Sequence, residues 1–178
     1  MLPELPFFDE EHRAFVSGLE RWLDTANVLD DERNADASCR AWVRALAENG
    51  WLRACVPGTF GGLRADLDVR TLCLARETLA YFSGLADFAF AMQGLGSAPI
   101  ALFGSSELQR RYLPNVAIGR CIAAFALSER DAGSDVAALS TSRNLATAVP
   151  SARFSAAAGP VYCAATAAAC PEWEAPGS

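Results

Sequence analysis

The run Phe125–Asp135 holds the residues of this chain that are best suited to bind a ligand. It overlaps the apolar run Cys121–Leu127, whose length and β-branched and aromatic content predict a strand. The hydroxyl of Ser128 follows, and then a turn that contains Gly133. Successive backbone N–H groups in such a turn can bind an anion. One interpretation is therefore a phosphate site, with Ser128 at a strand end beside a polar ring.

The alternative is an ordinary turn. A strand that leaves a sheet through Ser, Asp and Gly residues is common. The carboxylates of Glu129, Asp131 and Asp135 would also repel a pyrophosphate unless they point away from it. The local residues alone favour this second interpretation.

Composition narrows the functional classes. The 178 residues are 52% hydrophobic and 20% charged, as in one globular domain or one domain with a remnant. The net charge of -6 gives no support to nucleic-acid binding. All 15 basic residues are arginines, and they are scattered along the chain instead of forming a basic cluster.

The sequence gives no sign of a metal centre or of a Cys/His nucleophile. His12 is the only histidine, and no two of the six cysteines form a Cys-x-x-Cys pair. We interpret most of the cysteines as small buried hydrophobes in a reducing cytoplasm. Polar residues, glycines and a proline interrupt the apolar window Leu85–Phe103, which argues against a membrane span, and residues 1–9 lack the pattern of a secretory signal.

Hydrophobic periodicity predicts helices in the first third of the chain. One helix begins after Asp9 as N-cap and continues to about Ala26. A second runs from about Ala37 to Asn49, and Gly50 follows in the position of a left-handed C-cap.

Three more helices are predicted before Gly119. The third begins near Asp66 or Asp68, and the fourth, Leu85–Phe103, is apolar nearly all round, which predicts burial inside the bundle. Its small residues, among them Gly94 and Gly96, would let a neighbouring backbone or a thin ligand approach closely. A capping box formed by Ser106 and Gln109 starts the fifth helix, and Pro114 breaks or restarts it.

Three motifs, in order, resemble the acyl-CoA dehydrogenase family. Phe125–Asp135 resembles its flavin-binding signature, and Gly104–Pro114 followed by Gly119 resembles the helix that leads into that signature. Gly50–Gly62, with its Pro-Gly-Thr-Phe-Gly-Gly ending, resembles a helix-to-loop connection of the same family. The resemblance covers residues 8–141 and implies that FAD is the cofactor.

The resemblance also implies site residues. Phe125, Leu127 and Ser128 would lie against the isoalloxazine ring or hydrogen-bond to it. Gly133 and Ser134 would donate to the cofactor pyrophosphate or to the CoA arm, so that Ser134 is also a substrate-binding residue. One departure from the family is Arg130, which stands where relatives usually have Pro.

In the family, a carboxylate base removes the α-proton of an acyl-CoA while the β-hydride moves to flavin N5. That base comes from a C-terminal helical domain that this chain does not contain, so we predict no catalytic residue and an inactive fragment. The implied partners are an acyl-CoA substrate and an electron acceptor, with homo-oligomers in relatives. Two alternatives stay open: a helical binding module without catalytic activity, and a truncated product without function.

The expected fold is mainly α. Residues 1–119 form an N-terminal bundle of about five helices, and residues 120–142 form the first strand of an incomplete β-domain together with the flavin-binding signature. Residues 143–178 form an irregular or disordered tail rich in Ala and Pro. We expect a cytoplasmic location.

Overall fold

The computed structural model describes residues 5–28, 30–125 and 134–135. The described part is built on five α-helices, which confirms the predicted mainly α fold. They are α1 (Glu10–Leu23), α2 (Ala35–Glu48), α3 (Val69–Phe82), α4 (Gly84–Phe103) and α5 (Ser106–Ala117). Three short 3-10 helices occupy Glu32–Asn34, Trp51–Cys55 and Gly58–Phe60.

Each α-helix begins at a residue whose side chain accepts a hydrogen bond from a backbone N–H of the first turn. These N-caps are Asp9, Asn34, Asp68, Ser83 and Ser105. The predicted cap Asp9 is thereby confirmed, and α3 begins after Asp68, one of its two predicted starting points. Gly50 has φ +77°, the left-handed conformation predicted after α2.

Helix α5 differs from its prediction at both ends. Its cap is Ser105 and not Ser106, because the Ser105 hydroxyl accepts from the N–H of Leu108. Gln109 does not complete a capping box, since its amide donates instead to the carbonyl of Ala101 at 2.9 Å. Pro114 lies within α5 and does not end it. Losing one N–H weakens the helix there without breaking it.

Helix α4 lies centrally, against α2, α3 and α5. The main core contains Leu19 of α1, Trp42 and Leu46 of α2, Leu79 of α3 and Phe90 of α4, all with at most 1% of their surface exposed. Burying these large side chains supplies the main stabilising free energy, about 1.5–3 kcal/mol for each. The apolar periodicity of the sequence therefore corresponds to real buried faces.

The prediction that α4 is buried all round is wrong. One side of the helix is buried, but Phe88, Leu95, Leu102 and Phe103 are exposed on its other side. The first three recur every seven residues and so follow one line along the helix. By length and composition α4 is the one helix of the described residues that could cross a membrane, but core helices of globular proteins also have that length and composition.

The predicted strand Cys121–Leu127 does not appear in the described residues. Residues 121–125 lack regular secondary structure, and residues 126 and 127 lie outside the described part. A strand needs a neighbouring strand for its backbone hydrogen bonds, whereas here the N–H of Ala123 donates to a side chain of α4. The tail at 143–178 also lies outside the described residues.

A network of polar side chains joins the start of α1 to the start of α3. Its centre is His12, which is completely buried. The Nε2 of His12 lies 2.6 Å from Asp68 Oδ2, and its Nδ1 lies 2.7 Å from Asp9 Oδ1. Arg64 contacts Glu11 at 2.6 Å and Asp68 at 3.2 Å, and the hydroxyl of Thr71 donates to Asp68 at 2.7 Å. Residues 56 positions apart in the chain are thus fixed together.

This network lowers the pKa values of two carboxyl groups. Burial alone would raise the pKa of Asp68, but hydrogen bonds from Thr71, His12 and the backbone N–H of Arg70 hold it well below its usual range. The pKa of Asp9 is lowered chiefly by the hydrogen bond from the backbone N–H of His12. Both carboxylates therefore stabilise the folded chain while they are ionised.

Acid should weaken the fold through Asp68. The pKa is lower in the folded chain, so the stability that Asp68 contributes is present above its unfolded pKa of about 4. That stability is lost as pH falls towards the folded value. We expect urea unfolding to show a free energy of unfolding that decreases below about pH 5.

Asp68→Asn should lower the free energy of unfolding by about 2 kcal/mol at neutral pH, because buried His12 loses a charged hydrogen-bond partner. This deficit should shrink as the solution becomes acidic. Asp66→Asn, two residues away at an exposed position, is the matched control and should follow the wild type. A deficit for Asp68→Asn that is constant with pH would contradict this account.

Gly119 should not tolerate a side chain. Its φ is +69°, and a Cβ there would lie 2.5 Å from the Cβ of Ala47. Backbone strain and overpacking together predict that Gly119→Ala destabilises the chain by about 3 kcal/mol in chemical denaturation. In Gly84→Ala the new Cβ meets nothing within 4 Å, so that variant should be as stable as the wild type or more so. Equal stability of the two variants would refute this explanation.

Candidate cofactor site

The chain reaches the candidate site through a tight reversal after α5. Gly119 takes the left-handed conformation, and the N–H groups of Arg120 and Cys121 both donate to the carbonyl of Asn115, at 2.9 and 3.1 Å. The next residues then run back across α4. This reversal sets the point from which the chain enters Phe125–Asp135.

Two residues of α4 hold the returning segment 121–125. The N–H of Ala123 donates to Gln93 Oε1 at 2.9 Å, and Gln93 is only 1% exposed. One turn further along α4, a Cβ on Gly96 would lie 2.7 Å from the Cβ of Ala123 and 2.8 Å from the N of Ala124. The absence of a side chain at Gly96 is therefore what allows this approach.

The side chains of the segment anchor it further. Cys121 and Ala123 are buried in a second, smaller core with Val56 and Leu113, whereas Ile122 packs against the main core. Phe125, the last residue of this described run, is only partly buried. The segment is thus fixed at its start, and Phe125 at its end is partly exposed.

A buried hydrogen bond fixes α4 itself at the same level. The hydroxyl of Ser97 donates to the carbonyl of Cys55 at 2.8 Å, which ties α4 to the 3-10 helix Trp51–Cys55. The small residues of α4 were predicted to admit either a neighbouring backbone or a thin ligand. At Gly96 it is the backbone of residues 123–124 that approaches.

The structure places two of the five predicted cofactor-binding residues. Phe125 is partly buried, and Ser134, which is also the predicted substrate-binding residue, is exposed. Leu127, Ser128 and Gly133 lie outside the described residues. The roles of all five residues stay predictions, and so does the division of the chain into three parts. The described residues contain no group of three or more His, Cys, Asp or Glu side chains able to hold a metal ion.

Neither Cys39 nor Cys55 suggests a nucleophile. Cys39, Cys55 and Cys73 are free. Burial raises the pKa of the Cys55 thiol to about 12, and burial together with nearby Asp36 and Asp30 raises that of Cys39. A thiol with a raised pKa is a poor source of thiolate.

Sequence reasoning missed Gln93 and His12 as structural centres. The signal for Gln93 was present, because it is a polar residue in an apolar helix and such a residue needs a buried partner. The partner could not be identified, since Ala123 lies 30 residues away in the chain. His12 likewise meets Asp68 only through the tertiary fold.

Comparisons with known proteins agree with this architecture. The sequence profile of the family "Acyl-CoA dehydrogenase, N-terminal domain" matches residues 9–120. A "Probable acyl-CoA dehydrogenase" of Bacillus subtilis is 36% identical over 132 residues, which are 72% of this chain and 22% of that protein. The "Probable acyl-CoA dehydrogenase FadE25" of Mycobacterium tuberculosis is 38% identical over 138 residues, 78% of this chain and 35% of that protein.

Solved structures give the same result. An acyl-CoA dehydrogenase from Geobacillus kaustophilus matches with a TM-score of 0.61 and 25% identity over 76% of this chain and 36% of that one. An acyl-CoA dehydrogenase from Bacillus anthracis, solved in complex with FAD, matches with a TM-score of 0.60 and 33% identity over 73% of this chain and 23% of that one.

These matches cover most of the present chain but between 22% and 36% of each relative's length. The profile match also ends at residue 120, directly before the segment that α4 holds. The chain therefore belongs to the acyl-CoA dehydrogenase family, whose N-terminal helical domain it contains.

Proposed function

We propose that this chain supplies the helical domain and part of the flavin site of an FAD-dependent acyl-CoA dehydrogenase, which introduces an α,β double bond into an acyl-CoA thioester. The observation that carries the proposal is the structural similarity to the Bacillus anthracis enzyme solved with FAD, at 33% identity over 73% of this chain. On this proposal the protein acts in fatty acid metabolism in the cytoplasm, with an acyl-CoA, an electron acceptor and further copies of itself as partners.

The described residues fit a flavin in one respect. Phe125 follows a segment in which Cys121 and Ala123 are buried, and Phe125 itself is partly exposed. An aromatic ring held in this way can lie against a planar heterocycle without a large loss of side-chain freedom. The exposed hydroxyl of Ser134 is accessible to a phosphate or to the CoA arm.

The proposed roles are those that the resemblance to the family implies. Phe125 and Leu127 would lie against the ring system and Ser128 would hydrogen-bond to it, while Gly133 and Ser134 would donate to phosphate oxygens. The cofactor, when bound, supplies the hydride acceptor. The residues of this chain orient and bind, and none is proposed as the base.

Flavin retention tests the proposal. The purified chain mixed with FAD and separated from free flavin should keep FAD in about equal molar amount, measured by visible absorption. Ser128→Ala should weaken binding by about tenfold, since it removes one hydrogen bond to the ring. Gly133→Val should abolish binding, because a branched side chain would block the approach of the phosphates.

Ser17→Ala is the matched control, since Ser17 is exposed on α1, and it should bind FAD like the wild type. A wild-type chain that retains no flavin would refute the proposal for this chain. Binding of acyl-CoA without flavin would instead favour a helical binding module. Aggregation of a chain that binds neither ligand would favour a truncated product without function.

The isolated chain should not turn over substrate. We expect no acyl-CoA-dependent reduction of an artificial electron acceptor by the FAD-loaded chain, because we propose none of its residues as the base. Turnover above that of free FAD in the same assay would show that this chain contains its own base.

A further inference from the structure

Gln93 is a polar side chain inside an apolar helix, and its shorter hydrogen bond among the described residues is to a residue outside the helix. Its Oε1 accepts the N–H of Ala123 at 2.9 Å, while its Nε2 lies 3.5 Å from the carbonyl of Ala89. A buried amide is costly unless it is hydrogen-bonded. The Ala123 N–H has equal need of this contact, because the described residues offer it no neighbouring strand.

The contact between Gln93 and Ala123 lies close in the chain to Phe125, a predicted flavin-binding residue. Ala123 lies two residues before Phe125, and a chain of two residues spans at most about 7 Å. Only two residues therefore separate Phe125 from the hydrogen-bonded N–H of Ala123, so a backbone shift at Ala123 can reach Phe125 directly. A displacement of about 1 Å is enough to disturb the geometry of a binding site.

We propose that Gln93 is a positioning residue: its buried side-chain amide holds segment 121–125 against α4 and thereby sets the place of Phe125 for the flavin. The part that concerns flavin rests on the proposed function. The part that concerns the segment rests on the described contacts alone, and the two are tested by separate measurements.

Gly96 supports this assignment independently. A Cβ there would lie 2.7, 2.8 and 2.9 Å from atoms of Ala123 and Ala124, two of them backbone atoms, so the segment would have to move. Gln93 therefore binds the segment through the N–H of Ala123, and Gly96 leaves room for the backbone of the segment. Gly94 in the same helix makes no such approach, since its Cβ would meet only Cys55 Sγ at 3.8 Å.

The first test substitutes the amide. Gln93→Met has the length of glutamine without an acceptor, whereas Gln93→Glu keeps an acceptor oxygen and is the conservative rescue. Gln109→Met is the matched control, because it also removes a hydrogen bond between a side-chain amide and the backbone, here the one that the Gln109 amide donates to the carbonyl of Ala101 and not one to segment 121–125.

The first measurement is amide hydrogen exchange of the full chain without flavin. In Gln93→Met, exchange at residues 123–125 should accelerate by about tenfold or more relative to exchange in α4, since the segment opens more easily without its buried anchor. In Gln93→Glu and Gln109→Met the rates at these residues should stay within about threefold of the wild type.

The second measurement is the Kd for FAD, followed by titration of the flavin absorption. We expect a Kd about tenfold higher in Gln93→Met, a smaller change in Gln93→Glu, and no change in Gln109→Met. If these substitutions lowered only the global stability, the Kd for FAD would not differ between the three variants in this way.

The glycine pair gives a second route if Gln93→Met fails to fold. Gly96→Ala should accelerate exchange at residues 123–125 and weaken FAD binding, whereas Gly94→Ala should do neither. Unchanged exchange at residues 123–125 in both Gln93→Met and Gly96→Ala would overturn the proposal. Faster exchange with unaltered FAD affinity would overturn the role in positioning Phe125. A wild-type chain that binds no FAD would refute the proposed function, and the exchange rates would still decide whether Gln93 anchors the segment.

Discussion

The close approach of segment 121–125 to α4 is the contact on which the proposed site depends. Two features make it possible, a glycine that leaves no Cβ in the path and a buried amide that accepts the backbone N–H of Ala123. Both features are needed. Without the amide the N–H of Ala123 would have no acceptor, and with a side chain in place of the glycine the segment could not come close enough to reach the amide. The rest of the bundle, through the bond from Ser97 to Cys55, holds α4 in place for this contact.

The bundle thus has two polar centres embedded in apolar packing. At one end His12, Asp68 and Arg64 join the starts of α1 and α3, and elsewhere Gln93 joins α4 to the segment that enters the signature. Buried polar groups of this kind add modest net stability when they are satisfied and cost much when they are not. Their effect is to specify one arrangement of helices that apolar packing alone would specify less sharply.

The sequence predicted local features well because local interactions determine them. The cap at Asp9, the left-handed Gly50 and the buried face of α2 depend on residues within a few positions of each other. The burial of α4 was overestimated because periodicity cannot tell which side of an apolar helix has a neighbour. The strand was predicted from composition, but strand formation requires a partner strand, and in the described residues the Ala123 N–H bonds to Gln93. His12 and Gln93 were missed as centres because their partners are 56 and 30 residues away.

The central claim is that a flavin binds where segment 121–125 leaves α4. Its most direct test is a map of amide chemical-shift changes in the ¹⁵N-labelled chain on addition of FAD. The account predicts that the changes concentrate at residues 120–135 and at the side-chain amide of Gln93, with none around His12. Changes centred on another surface, or no changes at saturating FAD, would contradict it.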